Sequence, residues 1–216
     1  MTGDNMHQSA IDNLINGIDA ALRTVSGAVG QPDRPSPAQD SQATELTSEQ
    51  KLKAARLMRI NHCGEVCAQA LYRGQALTAK NIGAVATLDQ AAAEEADHLA
   101  WCQTRIKELD SHVSYLNPLW YAASFSIGAV TGLLGDKVNL GFVAATEEEV
   151  CKHLDRHLTL LPEEDHKSRQ ILTQMREDEL RHKNNALTAG GANFPAPVKS
   201  LMHKVSSLMT KSTYWI

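Results

Sequence analysis

The chain has 216 residues, 43% of them hydrophobic, and a formal net charge of −4. That content suffices for one core of ordinary size, while the mild acidity, with no cluster of Lys and Arg among aromatics, argues against a nucleic-acid partner. Cys63, Cys67, Cys102 and Cys151 show no Cys-x-x-Cys spacing, and the N-terminus has neither a secretory nor a transit pattern, so reduced thiols and no import are expected.

Residues 9–25 place Ile11, Leu14, Ile15, Ile18, Leu22 and Val25 at helical spacing, which predicts a short amphipathic helix. Residues 27–46 carry Gly27, Gly30, Pro32, Pro35 and Pro37 among Ser, Gln and Asp. Such a composition breaks regular structure and reads as a flexible linker that does not pack. An N-terminal segment, 1–45, is therefore set apart from a single domain over 46–216. Thr47 followed by Gln50 forms a capping box and opens a helix to about Lys80. A second helix is predicted over 82–110. Asn117-Pro118 reads as a cap with proline at the first helical position, opening a third helix that Gly132 and Gly135 end. A fourth is expected over 138–160, a fifth from Pro162 to Thr188, and a sixth from Pro195 and Pro197 to near Lys211. No stretch alternates as a half-buried strand does, so the class is all-α.

The chemistry lies in Glu95-Ala-Asp-His98 and Glu179-Leu-Arg-His182. Residues three apart share a helix face, so each pair can offer a carboxylate and an imidazole to one metal ion. Two such helices facing each other, with one more Glu from each of two others, make the two-metal site of a ferritin-like four-helix bundle. Glu65 stands 30 residues before Glu95, and Glu147 stands 32 before Glu179, as if one helix pair had been used twice. Spacing alone does not separate Glu147 firmly from Glu148 and Glu149. Glu163-x-x-His166 follows Pro162 in what is expected to be a first helical turn, where acids are favoured anyway, and is set aside. Glu94 and Glu177 do not reproduce the motif. His62, three before Glu65, is expected to hydrogen-bond a ligand rather than be one; His153 and His157 read as surface or core residues, and Asp4-x-x-His7 as accidental.

The segments Asn61-His62-Cys63-Gly64-Glu65, Glu94-Glu95-Ala96-Asp97-His98-Leu99, Ala144-Ala145-Thr146-Glu147-Glu148 and Asp178-Glu179-Leu180-Arg181-His182 resemble the demethoxyubiquinone hydroxylases of ubiquinone biosynthesis. The likeness covers about 46–216. It implies a ferritin-like fold and metal ligands at Glu65, Glu95, His98, Glu147, Glu179 and His182, with Glu95 and Glu179 bridging two irons. It also selects Glu147 over its neighbours.

Four carboxylates and two imidazoles suit iron or manganese better than zinc, and iron is the choice if O₂ is the co-substrate. Two ferrous ions can each give one electron to O₂, so an external two-electron donor must restore them. No Gly-x-Gly-x-x-Gly or P-loop motif is present, which points to a partner, free NADH or the quinol itself.

Residues 113–135 are uncharged and rich in Leu116, Leu119, Trp120, Tyr121, Phe125, Ile127 and Val130, but Asn117-Pro118, Ser124, Ser126, Gly128, Thr131 and Gly132 weaken the stretch as a membrane span. An added apolar helix, lying in the interface or buried, fits better. Residues 180–216 contain no acid, and Arg181, Lys183, Lys199, Lys204 and Lys211 give them +5. With Val198, Leu201, Met202, Val205, Leu208 and Met209 at helical spacing, this reads as a C-terminal amphipathic helix for an anionic lipid surface, with core packing as the plain alternative. The resulting expectation is a peripheral di-iron monooxygenase at the cytoplasmic face of the inner membrane, hydroxylating a polyprenylated methoxybenzoquinol. Its partners would be the quinol, the membrane and other ubiquinone-biosynthesis proteins. A ferritin-type iron store or another di-iron quinol oxidase is the alternative.

Overall fold

The computed structural model describes residues 19, 21–25, 27, 30–42, 44–79 and 82–216, without the side chains of 82–87 and 89. Its helices are α1 Ser48–Thr78, α2 Ile82–Glu108, α3 Asn117–Leu133, α4 Asp136–Leu160, α5 His166–Thr188 and α6 Ala196–Trp215, and no strand occurs among the described residues. Most of the helix predicted at 9–25 lies outside them; residues 21–25 are helical.

Local chemistry explains where the helices begin. Thr47 accepts from the amide of Gln50, whose side chain accepts from the amide of Thr47 at 2.9 Å, so the predicted capping box opens α1. Two starts differ from expectation. Asn117 is already helical and fully buried, and makes no capping bond. At α5 the residues after Pro162 form a turn, and Asp165 is the cap, accepting from the amide of Ser168 at 3.0 Å. Arg105 of α2 reaches that same carboxylate at 2.8 Å and fixes the start there, which leaves Glu163 ahead of the helix rather than in its first turn. The sixth helix runs four residues past Lys211, because Thr213 is buried and Tyr214 packs against the core.

Helices α1, α2, α4 and α5 make a ferritin-like bundle, α3 lies along α1, and α6 crosses α1 and α4. One core is built from Met58, Cys102, Leu154, Leu172 and Met175, a second from Tyr72, Leu88, Val143 and Ala186. On every bundle helix the acidic candidates fall between the two: Glu65 between Met58 and Tyr72, Glu95 between Leu88 and Cys102, Glu147 between Val143 and Leu154, and Glu179 between Met175 and Ala186. The polar layer is thus closed at both ends by packed apolar side chains. Apolar packing on both sides keeps bulk water from it.

Glycine decides how closely α3 approaches α1. A Cβ on Gly128 would lie 2.2 Å from the carbonyl oxygen of Leu71, and one on Gly74 equally close to that of Phe125. Small residues in α3 therefore serve packing, and the opposite face leaves Leu119, Val130 and Leu133 exposed. No helix of the described residues is long and apolar enough to cross a membrane.

The segment before α1 does not behave as a free linker. Residues 30–42 lack a regular helix or strand, as their composition predicts, yet Ala38 is buried in the first core and Asp33 and Arg34 bond to α2. Specific side-chain contacts hold what the backbone pattern cannot.

Candidate metal centre

Glu65 on α1, Glu95 and His98 on α2, Glu147 on α4, and Glu179 and His182 on α5 are all buried and converge. One ligand atom from each of Glu65, Glu95, His98 and Glu179 lies within 4.8 Å of the others, and the same is true of Glu95, Glu147, Glu179 and His182. Glu95 and Glu179 belong to both sets. Each motif pairs locally: Nδ1 of His98 is 3.0 Å from Glu95, and Nδ1 of His182 is 3.1 Å from Glu179. Each also faces the other helix, His98 at 3.2 Å from Glu179 and His182 at 3.1 Å from Glu95. Of the neighbouring acids, Glu148 instead meets Lys199 and Lys152, and Glu149 meets His203.

The electrostatics of this donor set fit a pair of cations. Burial, reinforced by Glu95, pushes the Glu65 carboxyl well above its ordinary range, and burial with Glu179 and Glu95 does the same to Glu147. Burial also opposes charge on His98 and His182, but surrounding carboxylates override it and drive His182 up to about 12. Protons are thus doing the work of cations in a space with four acids. Oε1 of Glu95 is buried with no hydrogen-bond partner and lies 3.1 Å from Nδ1 of His182. Hard divalent ions with borderline nitrogen tolerance match such carboxylate and imidazole donors.

The outer ring nitrogens are also accounted for. Nε2 of His98 lies 2.9 Å from Asp178 on α5, and Nε2 of His182 lies 3.0 Å from Glu94 on α2. A carboxylate only accepts, so each Nε2 carries a proton, and with a metal bound each Nδ1 would turn its lone pair toward the cluster. Arg181 binds both Asp178, at 2.8 Å, and Glu94. Beyond them, the hydroxyl of the fully buried Tyr72 donates to Glu147, and burial beside that carboxylate holds the phenol well above its usual pKa. This four-helix arrangement of paired Glu-x-x-His motifs agrees with a match of residues 52–213 to the model of the ubiquinone biosynthesis protein COQ7.

The chain belongs to the COQ7 family.

Among its relatives, the 3-demethoxyubiquinol 3-hydroxylase of Azotobacter vinelandii is 60% identical over 97% of this chain and 98% of its own length. Those of Stutzerimonas stutzeri and of Pseudomonas aeruginosa PAO1 are 58% and 57% identical over the same shares. In this COQ7-family chain the six expected ligand residues meet in one cluster, while Glu163, in the turn before α5, and His166, the first residue of α5, stand outside it.

Sequence reasoning passed over Glu94, Asp178, Arg34 and Tyr72. A signal for the first two existed: an acid stands directly before the glutamate of each motif, in Glu94-Glu95 and Asp178-Glu179. Their partners are on the opposite helix, which local spacing does not reveal. His62 does not play the role expected of it. Both its nitrogens are buried without a hydrogen-bond partner, and burial lowers its pKa to about 3, so it packs as a neutral ring and does not bond Glu65. His157 is a core residue bonded to Asn61 at 2.8 Å, and His153 lines an apolar cavity beside the cluster.

That cavity, of about 370 Å³, lies among α1, α3, α4 and α6. Ile60, Leu71, Trp120, Phe142, Val205 and Met209 line it, and so does Glu65. Its size falls in the range of about 300–1,000 Å³ usual for small-molecule sites.

Proposed function

We propose that the chain is a 3-demethoxyubiquinol 3-hydroxylase, inserting one oxygen atom from O₂ into the ring of a polyprenylated methoxy-methyl-benzoquinol. The observation that carries this reading is the apolar cavity whose wall includes Glu65, because it brings a lipid-soluble ring to the edge of the carboxylate cluster. Glu65, Glu95 and His98 would hold one iron, Glu147, Glu179 and His182 the other, with Glu95 and Glu179 shared. Bound there, iron supplies the electrons and Lewis acidity that O₂ activation requires. The protein's own groups would hold His98 and His182 in one tautomer through Asp178 and Glu94, and keep a proton on Tyr72 toward Glu147. External electrons, from NADH or from the quinol, complete each turnover.

Residues 46–216 form the hydroxylase domain in this reading, with 1–45 as an N-terminal segment. The cavity opens beneath the exposed apolar side chains of α3 and α6, including Ile127, Leu201 and Val205, a surface suited to the cytoplasmic leaflet of the inner membrane. Other ubiquinone-biosynthesis proteins would meet the enzyme there. The charge of the tail is smaller than its sequence suggests: Arg181 is held by the cluster's carboxylates, and Lys183 and Lys199 by Glu148.

Mass analysis of the quinone products tests the function, using iron-loaded protein, demethoxyubiquinol, reductant and O₂. A ring gaining one oxygen atom is expected. Oxidation without oxygen gain would indicate a quinol oxidase, and iron uptake with an untouched quinol would indicate storage.

A further inference from the structure

The histidines of the cluster are supported unequally, and the difference comes from outside the bundle. Glu94, behind His182, is held by Arg181. Asp178, behind His98, is held by Arg181 on Oδ1 at 2.8 Å and by Nη1 of Arg34 on Oδ2 at 2.9 Å. That Oδ2 is the atom accepting from His98. Nη2 of Arg34 also lies 3.4 Å from Nε2 of His98, but the shorter bond to Asp178 takes the ring proton, so the guanidinium is a neighbour there.

Arg34 is itself fixed from several directions. Its Nε donates to Asp97 at 2.7 Å, whose other oxygen accepts from the amide of Asp33 at 2.7 Å. Trp101 donates its indole N–H to the carbonyl of Arg34 at 3.3 Å, and the guanidinium lies 5.0 Å from the centre of the indole ring. Asp97, His98 and Trp101 all belong to α2. Residues 30–42 thus cross the back of the cluster as a strap, and Arg34 is a fork spanning α2 and α5 through two nearly buried carboxylates. A planar fork can hold two carboxylates at fixed angles, as an ammonium cannot.

We propose that Arg34 is a positioning residue for the metal centre, in which the N-terminal strap fixes Asp178 and thereby the donor nitrogen of His98, making one of the two metal positions dependent on a segment outside the four-helix bundle. The inference rests on the metal assignment made above. Arg34 does not bond the cluster-facing nitrogen of His98, and its effect on that nitrogen passes through Asp178, which accepts from the ring. Removing the guanidinium frees Oδ2 to rotate away from His98, while the support of His182 by Glu94 and Arg181 stays in place.

The test is calorimetric titration of the metal-free protein with Co(II), comparing wild type, Arg34→Met and Asp97→Asn. Wild type should take up two ions. Arg34→Met should bind one as before and the other up to about 10-fold more weakly, the lower end of the roughly 10- to 100-fold effect of losing the partner behind a ligand histidine, because Asp178 itself remains. Asp97→Asn, whose hydrogen bonds go to Asp33 and Arg34, should weaken that same step to a smaller extent. The unaffected ion is an internal control for folding. Two ions lost together, or both bound as in wild type, would overturn the role of Arg34. A wild-type protein that takes up fewer than two ions would overturn the metal assignment as well.

Discussion

Nε2 of His182 on α5 donates to Glu94 on α2 at 3.0 Å, and Nε2 of His98 on α2 is bonded to Asp178 on α5 at 2.9 Å. Each motif helix therefore orients the imidazole of the other with the acid that precedes its own glutamate. Glu94→Gln should keep the shape but replace a charged acceptor by a neutral amide. Iron retention during dialysis against a chelator should fall about 10- to 100-fold. Retention equal to wild type would mean that Glu94 is merely a surface acid near the site.

Glu179→Ala and Glu163→Ala separate two sequence motifs that look alike. Glu179 is buried in both ligand sets, whereas Glu163 is exposed in the turn before α5. Glu179→Ala should abolish hydroxylation and lower iron content, and Glu163→Ala should leave both nearly unchanged, with a stability change within about 0.5 kcal/mol. Equal iron losses, measured by metal analysis of the two purified variants, would refute the ligand set.

Membrane attachment should depend more on apolar side chains than on charge. Leu201 and Leu208 are each 63% exposed on α6, while three of the five cations from residue 180 onward are engaged in ion pairs within the protein. Full burial of a leucine contributes about 1.5–3 kcal/mol. The double variant Leu201→Ser with Leu208→Ser should thus lower cosedimentation with anionic vesicles at least about tenfold. Raising the salt should have a smaller effect. Undiminished binding by the variant would exclude this face as the membrane contact.

Stability should fall with acid in a way traceable to His157. Its ring is buried, and burial pushes its pKa down from 6.5 to about 3. The folded state keeps the ring neutral over that interval while the unfolded chain takes up a proton, so this contribution is complete above about pH 6.5 and is lost as the pH falls toward 3. Chemical denaturation of metal-free wild type and His157→Gln across that range should show a shallower dependence in the variant, by up to about 1.4 kcal/mol per pH unit. Parallel curves would show that the ring is not kept neutral by the fold.

The helices and the character of the site were legible in the sequence because both are local. Thr47 with Gln50 marks a helix start within one turn, and Glu95 with His98, like Glu179 with His182, shares a helix face whatever surrounds it. The start of α5 was not legible, since the cap at Asp165 is fixed by Arg105, 60 residues away on another helix. The same reason hid Glu94 and Asp178, whose partners lie across the bundle, and it hid Arg34, whose segment has the composition of a linker but is pinned by Asp97, Trp101 and Asp178. Periodicity determined which residues form helices. Only the packing of those helices decided which charges face one another, because an ion pair across a bundle depends on distance in space and leaves no fixed interval along the chain.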